Sequence, residues 1–371
     1  MEKFFDWYLW YFIYLAFFEF ILISNKRAYC ADHPGLSYDE AFDYRCNKLF
    51  AIMVFLPLFF ISSYRTLWMG DTGAYVSMFK SWPNTVSEIT FDGKERYPGF
   101  IVFSVLIKQC ISTDFRIWLI IIAAIVILCL SFAYRKHSSE LALCAFLFFA
   151  SSDFHSWMMN GMRQFLVVAI LFAATPLLFK KKFIWFILLG VLLYTFHVSV
   201  IIALPIYFIV LGKPFNKRTL LVLAAAFVVL LFINRFTDIF VDVVSTTNYS
   251  ESVKEMVSDK NNGTNIIRVL VYSVPGVMAI IFRKKIPEDA PVIINYSLNM
   301  SLMTTAFYMV SVFTTGIFFG RMPIYFSLFN YILLPWELHT FFEEKDRKMV
   351  YLVMIVLYLA FFAFQMHTWG I

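Results

Sequence analysis

Apolar runs follow one another along almost the whole chain, separated by short stretches that are either basic clusters or mixed polar loops. They fall at roughly 4–23, 48–64, 97–111, 115–134, 139–153, 162–179, 183–196, 198–211, 218–234, 266–282, 292–312, 323–340 and 349–368. A soluble core could not hide this much apolar surface: 61% of the 371 residues are hydrophobic and the mean hydropathy is +0.73. The fold class expected is therefore all-α, a polytopic helical membrane protein forming one domain over residues 1–371. The first run begins almost at once with no small-residue cleavage site behind it, so it reads as a retained helix and not a signal peptide.

The basic clusters orient the chain. Lys26 with Arg27, Arg135 with Lys136, Lys180 to Lys182, Lys213 with Lys217 and Arg218, Arg283 to Lys285, and Lys345 to Lys348 should all be cytoplasmic by the positive-inside rule. That assignment fails if every run crosses the bilayer. The run at 97–111 is short and opens with Tyr97, Pro98 and Gly99, which suits a re-entrant piece, so it is taken not to span. About twelve transmembrane helices then remain, with both termini outside. The large external loops are 65–96 and 235–265, with smaller ones at 153–163 and 313–322. The net charge of +6 collects in these topology clusters, so lipid head groups, not nucleic acid, are its expected partners. The cysteines show no CxxC or Cys/His spacing, and neither a zinc site nor a disulfide framework is expected.

Polar residues at the outer ends of these runs are the candidates for chemistry. Asn160 and Gly161 read as a cap ahead of a long apolar helix, which puts Arg163 and Gln164 in its first turn, beside main-chain N–H groups and the positive end of the helix dipole. That combination suits an anion, phosphate above all. Arg321, between Gly320 and Pro323, repeats the arrangement at another outer helix start, and Arg268 is a third such cation. Arg65 lies beyond the second run with Gly70, Asp71, Thr72 and Tyr75; Asp71 is read either as a base or as the cap of a helix beginning at Thr72. His197, between two apolar runs that nearly touch, is suited to moving a proton. The two runs flanking it form either a broken pair of half-depth helices or a tight hairpin, which the flanking charges favour. Ser199 has no GxSxG elbow and no preceding strand, so it is set aside as a nucleophile. Glu95, Asp153 and His155 are lesser candidates. Trp68, Trp82, Trp157 and Tyr97 are read as sugar platforms or as an interfacial aromatic belt.

Taken together, Arg65 with Gly70-Asp71-Thr72 and Tyr75, Tyr97-Pro98-Gly99-Phe100, Asn160-Gly161-Met162-Arg163-Gln164, Phe196-His197-Val198-Ser199 and Gly320-Arg321 resemble the EpsG-like group of Wzy-type polysaccharide polymerases, over about residues 60–335. The resemblance implies a membrane glycosyltransferase of the bacterial cytoplasmic (inner) membrane, acting on its outer side. Such an enzyme joins oligosaccharide repeat units carried on undecaprenyl diphosphate into a capsule, exopolysaccharide or O-antigen. On that expectation Arg163 and Arg321, helped by Gln164, Arg65 or Arg268, hold the diphosphate. Asn160, Tyr75 and Tyr97 contact sugar, and His197 or Asp71 takes the acceptor's proton. With arginines doing the charge work and no clustered Asp-x-Asp, no metal or other cofactor is expected. The partners expected are the lipid-linked oligosaccharide, membrane lipids and a chain-length regulator. The competing readings are an O-antigen ligase and a flippase or transporter. Transport would want ionisable groups in mid-span, where Glu19 and Lys108 are the few exceptions. A membrane O-acyltransferase would want its histidine near the cytosolic face.

Overall fold

A computed structural model describes residues 2–33, 44–91, 97–233, 235, 263–314 and 319–369. Glu95 and Arg96 of the first expected external loop lie outside the described residues, as do most of the second, 235–265, and Gly316. Every regular element among the described residues is helical. In chain order these are α1 (Glu2–Ala31), α2 (Lys48–Ser63), α3 (Thr72–Ser81), α4 (Pro98–Cys110), α5 (Phe115–His137), α6 (Leu141–Ala150), α7 (Met162–Ala174) and α8 (Pro176–Phe179). They continue with α9 (Phe183–Tyr194), α10 (Val200–Ile209), α11 (Lys217–Leu231), α12 (Ile266–Ile281), α13 (Val292–Phe313), α14 (Ile324–Ser327), α15 (Asn330–Phe341) and α16 (Glu344–Thr368). Four stretches are long and apolar enough to cross a membrane: Trp7–Ala31, Phe115–His137, Met162–Phe179 and Glu344–Thr368. Shorter apolar helices accompany them, among them α2, α4, α6, α9, α10 and α12.

The chain forms two compact units. One comprises residues 1–90, 99–182 and 338–371, the other 91–98 and 183–337. In the first unit α6 is apolar all round and every one of its residues is buried, as a helix at the centre of a bundle must be. Basic residues gather at one end of this unit. Lys26 on α1 is buried against Glu140, Nζ to Oε1 2.7 Å, and donates to Ser139; His339 approaches the same carboxylate, and Arg347 reaches His339. Arg45 donates to the Lys136 carbonyl and Arg135 to that of Cys46. These are the clusters that the positive-inside reading puts on one side of the membrane, and within this unit they do share one end.

The other end carries the polar candidates. Here α4 is 13 residues, about 20 Å long, too short for a hydrocarbon core of about 30 Å. Its first turn and its last turn both belong to this end: Phe100 packs on Trp118 in the first turn of α5, and Lys108 donates to the carbonyl of Trp82, whose ring meets Phe100. Helix α4 thus lies along the polar end and does not run the length of the unit. The stretch 153–163, expected as an external loop, is instead a buried π-helical turn over Phe154–Met159. Local pairing makes this possible, because Trp157 Nε1 satisfies the buried Asp153 carboxylate at 3.0 Å.

In the second unit α9 and α10 form an antiparallel hairpin: Phe186 meets Phe208, and Gly190 faces Leu204 so closely that a Cβ would strike its side chain. The flanking charges favoured this arrangement. Helix α13 packs along α12, and a column of tyrosines ties α13, α10 and α14 together.

Candidate functional site

The candidate residues fall into two groups, one in each unit. In the first, the loop after α2 folds onto the π-helical turn. Gly70 has φ +55°, a conformation glycine adopts without strain, and a Cβ there would sit 3.0 Å from Asn160 Oδ1 and 3.1 Å from the Met159 carbonyl. Residues ninety apart in the chain are thereby brought into contact. Arg65 fastens the same junction: its guanidinium donates to the Met158 carbonyl at 3.0 Å and reaches the thioethers of Met159 and Met162. It is only 2% exposed, and burial draws its pKa down to about 10, partly offset by Tyr75. Arg116 in turn holds the Arg65 carbonyl at 2.8 Å. Arg65 therefore braces the junction from inside, a placement its position in an expected external loop does not reveal.

Asp71 stands at the N-cap of α3 but its side chain makes no cap bond, and it is exposed. Its carboxylate is thus open to solvent and not engaged in capping α3. Tyr75 is half-buried one turn further along α3. Of the Asn160-Gly161 pair expected as the cap of α7, Gly161 stands at the N-cap position with no side-chain cap bond, while Asn160 ends the π-helical turn and has its amide against Gly70. Arg163 occupies the first turn of α7 as expected, half-buried, its guanidinium 5.9 Å from the centre of the Phe100 ring. Gln164 beside it is buried.

Between α1 and α2 a groove of about 700 Å³ is lined by Trp7, Trp10, Tyr14, Pro57, Phe60 and Tyr64 among others. The hydroxyls of Tyr11 and Tyr14 are engaged with the carbonyls of Val54 and Met53, so the rings offer the groove their apolar faces. Tyr64 adjoins Arg65, which places the groove at the polar end of its unit.

In the second unit His197 lies in the turn between α9 and α10, its Nδ1 2.6 Å from Ser199 Oγ, and Ser199 Oγ is 2.8 Å from the hydroxyl of the buried Tyr325. Arg268, in the first turn of α12, lies over the Tyr272 ring at 5.6 Å. Arg321 ends the 3-10 turn Phe319–Arg321. The starts of these two segments meet, because Thr264 pairs with Ser311 and a Cβ on Gly320 would strike the Thr264 hydroxyl. Tyr97 immediately precedes α4 and belongs to the second unit. Among the described residues no cluster of three or more His, Cys, Asp or Glu is placed to hold a metal ion.

A model of the EpsG family matches residues 48–370. The chain belongs to the EpsG family. It is accordingly a membrane protein of Wzy-type polymerase-like character, as the sequence motifs implied. No curated protein and no solved structure matches it. Beside His197 in this EpsG chain stand Ser199, discounted above as a nucleophile, and Tyr325, which no sequence feature singles out. The His-x-Ser spacing ahead of a helix was the local signal for the first; the second is 126 residues away and left none.

Proposed function

We propose that this EpsG protein polymerises lipid-linked repeat units, transferring a growing glycan from undecaprenyl diphosphate to a hydroxyl of the next unit at the outer face of the bacterial cytoplasmic membrane. The observation that carries this reading is the family match over residues 48–370. In the reaction the bond between the anomeric carbon and the diphosphate oxygen breaks, and the diphosphate leaves with the electron pair. The acceptor hydroxyl oxygen bonds to the anomeric carbon, and its proton passes to a base. Charge accumulates on the leaving diphosphate, so cationic donors there lower the barrier most. Arg163 with Gln164 is assigned to that charge, a half-buried guanidinium at an uncapped helix start. Arg268 and Arg321 carry the same chemistry in their own unit. Asp71 and His197 are the candidates for the acceptor's proton, and Tyr75, Tyr97 and Asn160 for sugar contacts. Arg65 is assigned the positioning of the Asp71 loop. The aromatic groove beside Tyr64 suits a polyprenyl tail, whose methyl branches and double bonds pack on ring faces. A length-regulating protein is the expected partner.

The test is a gel of surface and lipid-linked glycans from a deletion host carrying Arg163→Ala or wild type at matched membrane level. Loss of polymer, with single repeat units accumulating outside on their lipid, supports polymerisation at Arg163. Polymer of normal length left unattached would make the protein a ligase, and units trapped inside would make it a flippase.

A further inference from the structure

Pro57 sits inside α2, where its missing N–H leaves the Met53 carbonyl without a helical donor. Tyr14 of α1 supplies one, its hydroxyl 2.7 Å from that oxygen, and the Tyr11 hydroxyl reaches the Val54 carbonyl at 3.2 Å. With the Phe18 ring on that of Phe50, these pairs run in opposite directions along the two helices, so α1 and α2 are antiparallel and tied together there. Beyond them lies the groove, which ends at Trp7 on α1 and at Tyr64, the C-cap of α2, both exposed. Cations stand at that end. Arg116 Nη1 donates to the carbonyl of Arg65, the residue after Tyr64, at 2.8 Å. Its guanidinium lies 5.0 Å from the centre of the Phe115 ring, and the Lys80 ammonium 5.2 Å from the same centre. Among the described residues neither side chain forms an ion pair, and the neighbouring Asp114 carboxylate is engaged at 2.8 Å with the Arg116 main-chain N–H as the cap of α5.

An apolar groove in a membrane meets acyl chains on every side, so selectivity must come from what a phospholipid lacks. Two features supply it. Six of the nine lining residues are aromatic, and ring faces pack on the methyl branches and double bonds of a polyprenyl chain better than on a straight saturated one. Two cations gathered on one ring match the charge of a diphosphate better than that of a phosphodiester. We propose that the groove is the seat of a polyprenyl diphosphate lipid, with its first isoprene units between α1 and α2 and its diphosphate on Lys80 and Arg116. The reaction proposed above engages two such lipids at once, and Arg163 is assigned to the diphosphate that leaves. Lys80 and Arg116 then serve the other diphosphate, which stays bonded to its sugar and needs only to be held. That division of labour rests on the polymerase reading; the lipid site itself does not.

The test is photocross-linking, which reads where a lipid sits without any turnover. A polyprenyl diphosphate carrying a diazirine near its head is photolysed with the purified protein in detergent, and the cross-links are mapped by peptide mass spectrometry. They are expected within residues 7–14 of α1 and 56–64 at the end of α2, suppressed by unlabelled undecaprenyl diphosphate and not by phosphatidylglycerol at the same concentration. At subsaturating probe Arg116→Gln should lower the yield about tenfold, the contribution of a charged hydrogen bond, and the more exposed Lys80→Gln about threefold. Leu56→Trp, which fills the groove, should abolish the cross-links while the protein stays monodisperse. Equal suppression by phosphatidylglycerol would make the groove a place for ordinary membrane lipid and overturn the proposal, as would cross-links confined to other parts of the chain. Wild-type yield in the double variant Lys80→Gln with Arg116→Gln would take the diphosphate away from these cations. The glycan gel reads the function separately. Polymer still formed by the deletion host without the protein removes the polymerase reading and leaves the lipid site standing, whereas polymer lost from that host with no cross-link in the groove removes the lipid site alone.

Discussion

Replacing Arg65 by methionine separates its contribution to stability from its contribution to activity. Two opposed effects set the stability change. The substitution loses a charged donor bond to the Met158 carbonyl, worth about 1.5–3 kcal/mol, and leaves that carbonyl buried. It also relieves the burial of a cation: the fall of the guanidinium from 12.5 to about 10 corresponds to roughly 3 kcal/mol. At 2% exposure little solvent screening reduces that figure. Methionine nearly fills the space, and the thioethers of Met159 and Met162 that faced the guanidinium become ordinary apolar neighbours. The two effects cancel to within about 1–2 kcal/mol, as expected when a buried charge gives way to a similar apolar volume. Arg65→Ala has no such compensation and adds a void, so it should lose about 2–5 kcal/mol more. Polymer formation should fall in both, because the loop bearing Gly70 and Asp71 is no longer tied to the turn bearing Asn160. The measurements are thermal unfolding in detergent by near-UV circular dichroism and the glycan gel. A methionine variant more than about 3 kcal/mol less stable than wild type, or one that keeps full activity, would refute the reasoning.

Gly263→Ala should abolish most polymer formation at normal membrane level, because the added Cβ strikes the Val312 carbonyl and must push the start of α12, with Arg268, off α13 at a cost of about 1–3 kcal/mol; a glycan gel with a membrane-level blot checks it. His155, buried beside Tyr8 and Trp369, is held by burial at about 3, below its usual 6.5, so the unfolded chain binds the extra proton between those values. Stability should thus be full above about pH 6.5 and fall as the pH drops, by roughly 1.4 kcal/mol per unit, and His155→Phe should flatten that slope in a pH series of melting curves. Polymer formation in washed membranes should survive EDTA, the arginines supplying the charge; complete loss restored by magnesium would sink that part of the scheme.

Most helix limits were legible because hydropathy and breakers act locally. The runs expected at 162–179, 266–282 and 292–312 end within a residue of Met162–Phe179, Ile266–Ile281 and Val292–Phe313. The short run at 97–111 forms a helix, Pro98–Cys110, whose start its Tyr-Pro-Gly sequence marked. What local pattern could not give is how a buried polar side chain is satisfied. Asp153 and Asn160 looked like loop residues because their partners, Trp157 by one helical turn and the backbone around Gly70 by long-range contact, carry no signature of partnership. Arg65 and Arg163 look alike in sequence, each an arginine at the outer end of an apolar run. Their surroundings separate them: Arg65 is buried and donates to a carbonyl ninety-three residues away, whereas Arg163 is half-buried in the first turn of α7. A polar group inside a bundle answers first to its neighbours, and only one left accessible can answer to a substrate. On the proposed reading the leaving diphosphate is held by Arg163, and the part of Arg65 is to fix the loop that carries Asp71.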